Sequence, residues 1–151
     1  MPTHSELDVT DEDALRDYLE AVAPDIVINC TGYNEVDNAE ENVSVNYEMN
    51  CEVPRNLAEI SNDLGFKFIQ FSSDYVFDGA NEDGYTEDAK TNPLNKYGEA
   101  KAEAEADIQE IAEKYFIVRL SWLFGPGQNN FVTTMLKLAE EKDELNVVND
   151  Q

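Results

Sequence analysis

Tyr97 and Lys101 stand four residues apart at the start of a stretch patterned as a helix, and Ser72 and Ser73 close the apolar run Phe66 to Phe71 upstream. Residues i and i+4 share one helical face, so the spacing predicts a Lys101 ammonium close to the Tyr97 phenol, favouring its ionised form. Without such help a phenol, with a pKa of about 10, is a poor acid or base at neutral pH. A serine hydroxyl at a neighbouring strand end can hydrogen-bond a substrate oxygen while the phenol gives or takes a proton. That is the chemistry of ketones and alcohols.

Spacing alone also describes an ordinary surface pair, and the order of the elements is what raises it. An apolar strand ends in two hydroxyl residues, a polar loop follows, and then a tyrosine opens a helix. In open α/β sheets, ligands bind beyond the carboxyl ends of the strands, where this order puts Ser72 and Ser73.

The elements that must position these groups can be read along the chain. Thr10 with Asp13 resembles an N-cap with an acidic N3 residue, opening a helix through Val22 that Pro24 ends. Asp25 to Cys30 is a short apolar run suited to a buried parallel strand. Val43 to Leu64 is helical in pattern, with Pro54 inside it and Gly65 as its stop. Phe66 to Phe71 is the next strand. Asp78 to Asn95 is a loop rich in Gly, Asn, Asp and Pro, long enough to be functional or mobile. Tyr97 to Lys114 is a helix, Tyr115 to Leu120 a third strand, Phe131 to Lys142 a helix and Leu145 to Val148 a fourth strand. The alternation predicts a doubly wound parallel sheet with helices on both faces and right-handed crossovers.

At 151 residues the chain is one domain, residues 1–151. Its formal net charge of −23 disfavours nucleic acid phosphates and anionic membrane surfaces as partners. The charge is spread along the chain, a property of the folded surface that salt adaptation, where self-repulsion is screened, or family drift explains better than a basic partner. No apolar stretch is long enough to span a bilayer, and Met1 to Leu7 lacks a signal-peptide pattern, so the expectation is a cytoplasmic protein. Cys30 and Cys51 form no metal spacing and read as reduced, structural residues.

Other chemistries find little material. The lone histidine, His4, cannot furnish a Ser-His hydrolase or a histidine-rich zinc site. In the acidic run Asp78 to Asp88, Ala80 stands where a calcium loop wants Asp or Asn. Gly125-Pro126-Gly127 begins like a dinucleotide fingerprint, but Asn130 replaces its third glycine and Pro126 has no N–H for a phosphate, which leaves a substrate-side loop.

With these residues in view, the chain resembles the extended short-chain dehydrogenase/reductase family. The motifs are LDVTD (Leu7 to Asp11), DIVINCTGYNEVDNAE (Asp25 to Glu40), SSDYVFDG (Ser72 to Gly79), NPLNKYGEAK (Asn92 to Lys101), RLSWLFG (Arg119 to Gly125) and NNFVTTML (Asn129 to Leu136). The resemblance implies a Rossmann-like domain that uses NADPH or NADH to reduce the C4 ketone of a nucleotide-linked 6-deoxysugar. Where related dehydratases carry Asp-Glu after the catalytic hydroxyl, Asp74-Tyr75 follows Ser73 here, which favours simple reduction.

By the same resemblance, Ser73, Tyr97 and Lys101 are the catalytic residues, with Lys101 also holding the cofactor ribose. Asp8 and Val9 face the adenine, and Cys30, Thr31 and Gly32 line the cofactor. Val36, Tyr75 and Trp122 contact the sugar-nucleotide. The implied partners are a nucleotide-sugar substrate and a second copy of the chain as a homodimer. Family members open with a strand and a glycine-rich turn for the pyrophosphate and continue beyond the position of Gln151. The chain therefore reads as the middle of a reductase, truncated before the dinucleotide-binding turn and lacking the C-terminal substrate region. Two alternatives stand beside this reading: a non-catalytic regulatory module resembling the β subunit of methionine adenosyltransferase, and a nucleotide-sugar epimerase.

Overall fold

The computed structural model describes residues 2–3, 5–126 and 130–147. Contacts divide the chain into two units, Met1–Arg119 and Leu120–Gln151.

The first unit begins with helix α1, Glu12–Val22. Its cap is Asp11, whose carboxylate accepts from Ala14 N at 3.0 Å. The expected cap, Thr10, is already engaged: its N–H and its hydroxyl both donate to Asp8 Oδ1. That local Asx turn takes Thr10 out of competition and starts the helix one residue later. Leu15 and Leu19 form the buried stripe, and Ala23 ends α1 in a left-handed conformation just before Pro24.

Strand β1, Ile26–Asn29, pairs in parallel with β2, Lys67–Ser73, with Val27 opposite Phe68 and Asn29 opposite Gln70. Strand β3, Tyr115–Leu120, has the bounds expected from the sequence and completes the order β1-β2-β3. β2 runs two residues beyond the expected Phe71, so both serines lie within its hydrogen-bonded end.

The helical stretch after β1 is not one continuous α-helix. A 3-10 turn, Asp37–Glu40, precedes α2, Val43–Tyr47; a π-helical turn, Glu48–Glu52, then leads into α3, Val53–Leu64. Pro54 explains the break: it has no N–H for the carbonyl four residues back, and its ring crowds that carbonyl, so the backbone widens by one residue there. Gly65 closes α3 at φ 80°, a conformation that favours glycine. Helix α4, Lys96–Ile111, is capped by Asn95, which accepts from Gly98 N at 2.7 Å.

Leu15, Leu19, Val53, Leu57, Ile60, Phe66, Phe68 and Ile108 form one core, with Val27 packed against it. Helices α1, α3 and α4 thus share the Val27 and Phe68 face of the sheet. On the other face Ile26, Ile28 and Phe116 are each more than half exposed.

The second unit holds helix α5, Phe131–Glu141, opened by a capping box between Asn130 and Thr133. The expected fourth strand does not form over residues 145–147, and Val148 lies outside the described residues, as do His4 and Gly127. No helix among the described residues is long and apolar enough to cross a membrane.

Candidate active site

Strand β2 delivers Ser72 and Ser73 to its carboxyl end, both almost fully buried. The Ser73 hydroxyl accepts from Tyr75 N at 3.2 Å and donates to Asp74 at 3.0 Å, capping the 3-10 turn Asp74–Val76. That turn is pressed against α4 by Gly98. A Cβ on Gly98 would lie 2.2 Å from the carbonyl oxygen of Tyr75, so only glycine lets helix and turn meet this closely. The fit sets Tyr75 edge-on to Tyr97, with ring centroids 5.7 Å apart.

Tyr97 and Lys101 are both buried on the inward face of α4. The Lys101 ammonium stands 5.8 Å from the centre of the Tyr97 ring. The sequence led us to expect a phenol pushed toward ionisation by this neighbour, and the structure differs. Burial raises the Tyr97 pKa, contact with the Ser73 hydroxyl draws it partly back, and Asp74 and Tyr75 add to the rise. Desolvation outweighs the cation, whose ammonium stands 5.8 Å from the ring centre. Tyr97 is therefore held in its protonated, acid form at neutral pH.

Lys101 is only 5% exposed, and burial draws its pKa down to about 8, with Glu105 pushing the other way. Its ammonium makes one long hydrogen bond, 3.4 Å to the carbonyl of Phe71. A Cβ placed on Gly32 would lie 3.6 Å from Lys101 Nζ and 2.9 Å from Asn50 Oδ1. Asn50 Oδ1 and Ser72 Oγ are buried oxygens with no hydrogen-bond partner. A lysine with donors to spare, two unsatisfied buried oxygens and a glycine whose side would close the space are features that suit a polyhydroxylated group such as a ribose. The residues present thus fit the nicotinamide dinucleotide that the fold implies.

Two asparagines here escaped the sequence reading. Asn50, at the π-helical turn, donates to Tyr33 O and to Asn46 Oδ1, each at 2.8 Å, and Asn46 donates to Lys96 O at 2.8 Å. They link the α2–α3 rod to the start of α4 and to the loop after β1. Asparagines recurring four apart on one face of the helical stretch were the available signal.

The remaining candidates are more dispersed. Asp8 forms the Asx turn before α1, and Val9 packs against the core. Cys30 and Thr31 are exposed just past β1, with the Thr31 hydroxyl donating to Asn29 Oδ1 at 2.7 Å, and Val36 is half-buried. Trp122 belongs to the second unit, where it packs edge-on to Phe131 at 5.1 Å. Both cysteines are free thiols; Cys51 is fully buried, and burial lifts its pKa to about 11. No metal-binding cluster occurs among the described residues.

The long loop after β2 is tied down. Phe77 and Tyr85 stack at 4.1 Å, and the carboxylate of Asp78 accepts from Tyr85 and Asn92, which hold its pKa well below the usual range.

A parallel sheet with a hydroxyl at a strand end and Tyr-x-x-x-Lys on the following helix is the arrangement of a Rossmann-like domain. The family profile described as RmlD substrate binding domain matches residues 1–151, and the chain belongs to that family. A dTDP-4-dehydrorhamnose reductase from Aggregatibacter actinomycetemcomitans is 41% identical over 97% of the chain and 50% of its own length. The crystal structure of a dTDP-4-dehydrorhamnose reductase from Clostridium acetobutylicum superposes with a TM-score of 0.94 at 41% identity, over 100% of this chain and 54% of that one. That of the Bacillus anthracis dTDP-4-dehydrorhamnose reductase, in complex with NADP, gives 0.92 at 38% identity over 95% and 51%. The chain spans about half the length of the relatives it matches.

Proposed function

We propose that the chain carries the carbonyl-reducing centre of a dTDP-4-dehydrorhamnose reductase. In this reading the C4 ketone of dTDP-4-dehydro-6-deoxy-L-mannose is reduced to the alcohol of dTDP-L-rhamnose at the expense of NADPH or NADH. The observation that carries it is the buried, protonated phenol of Tyr97 beside the Ser73 hydroxyl, with Lys101 one helical turn away. The NADP named with the Bacillus anthracis structure supports the cofactor class.

The bound nicotinamide supplies the hydride. Ser73, its hydroxyl proton turned from Asp74 to the substrate, hydrogen-bonds the ketone oxygen and orients it. Tyr97 gives its proton to that oxygen as negative charge develops there, and Lys101 lies close enough to stabilise the phenolate left behind. Lys101 would also hold the ribose, Cys30, Thr31 and Gly32 would line the cofactor, and Asp8 and Val9 would meet the adenine. Val36 and Tyr75 contact the sugar-nucleotide. We place the protein in the cytoplasm, as a homodimer that binds neither nucleic acid nor membranes.

The test supplies the chain with NADPH and the 4-keto sugar nucleotide and follows oxidation of the cofactor. Tyr97→Phe keeps the ring and removes the proton, so turnover should fall by roughly 10²–10⁴-fold. Equal rates in parent and variant would overturn the role of Tyr97. Undiminished NADPH binding by Lys101→Met would overturn that of Lys101.

A further inference from the structure

The inward row on α4 does not stop at Lys101. Glu105, one turn further, is only 3% exposed, and no helix buries a carboxylate there for its own stability. Arg119 on β3 grips it with both arms of its guanidinium, Nε to Oε1 at 2.9 Å and Nη2 to Oε2 at 2.6 Å. The same guanidinium lies 4.9 Å from the centre of the Phe77 ring and donates to Glu87 O at 3.0 Å. One side chain thus joins the catalytic helix, β3 and the loop that follows the Ser73 turn.

We propose that Glu105 and Arg119 are positioning residues for the reducing centre: their forked ion pair sets α4 against the Ser73 segment and keeps a fixed negative charge one helical turn from the Lys101 ammonium. The proposal rests on the reading of Lys101 as a site residue. Elements packed on α4 bring other charged or titratable groups: Glu40, Tyr47, Cys51, Arg55, Asp74 and Tyr75. Glu40 caps Lys96 N, Tyr47 donates to Glu103, and Arg55 pairs with Asp107. Glu105 is the charge that opposes burial at Lys101. Without it, desolvation acts alone and the lysine loses its proton at lower pH.

The experiment is a pH titration of the Lys101 Nζ–Cε signal by NMR in the ¹⁵N-lysine-labelled chain, assigned with Lys101→Arg. Glu105→Gln should move the midpoint down by on the order of one pH unit. Because that variant leaves a half-buried Arg119 without its carboxylate partner, the double variant Glu105→Gln/Arg119→Met is measured too, and the same direction is expected. A Glu105→Asp variant, which keeps the charge, should restore most of the shift. A purely structural pair would lower the unfolding midpoint and leave the Lys101 titration in place, and an unmoved titration in both charge-removing variants overturns the proposal. Failure of the reductase reading would appear separately, as cofactor binding indifferent to Lys101→Met.

Discussion

Helices α3 and α4 pack on the same face of the sheet, and both touch β2, yet they bury different things. On α3 the inward residues are Val53, Pro54, Leu57, Ala58 and Ile60, with Ser61 satisfied by the carbonyl of Ala58 at 2.7 Å. On α4 they include Tyr97, Lys101 and Glu105, with small alanines between them and Ile108 only near the end. Apolar burial stabilises a helix, whereas burying an ammonium that holds one long hydrogen bond costs free energy. The contrast sets a helix that buries apolar side chains beside one that buries ionisable groups at a cost.

Three substitutions probe that contrast. Leu57→Ala on α3 should cost about 2–5 kcal/mol of unfolding free energy, measured with urea, because the side chain is fully enclosed and leaves a cavity. Lys101→Met on α4 should do the opposite and stabilise the chain at pH 7 by roughly 1–3 kcal/mol while removing function. The folded-state pKa of Lys101, about 8, lies below its unfolded value, so its burial cost is complete below pH 8 and fades as pH rises toward the unfolded value. The advantage of Lys101→Met should therefore shrink between pH 7 and pH 9 in paired urea titrations; a constant difference would mean that Lys101 keeps an ordinary pKa. The smallest effect belongs to the helix end: Asn95→Ala removes the cap of α4 and should cost about 1 kcal/mol in the same assay.

Much of this was legible in the chain. Apolar runs bounded by Pro, Gly and polar residues marked all three strands, because strands buried on the core face need such runs. The order of strand, serines, loop and tyrosine pointed to Ser73, Tyr97 and Lys101, which the fold brings together beside α4. What stayed hidden depended on competition or on distance in sequence. Thr10 lost the capping role because Asp8 reached it first. The effect of Lys101 on Tyr97 was overstated because desolvation has no signature in spacing. Arg119 and Glu105 lie too far apart in sequence to be paired by inspection, although continuing the four-residue row from Tyr97 through Lys101 would have reached Glu105.

Gly98 imposes a lasting constraint on anyone who would reshape this protein. Its bare backbone is the seat on which the Tyr97 and Tyr75 rings are fixed relative to each other, so a bulkier residue there would push helix and turn apart at once. Under the proposed function, efforts to admit larger sugars would do better to trim Tyr75 itself, whose ring is partly open to solvent, and leave the seat between helix and turn untouched.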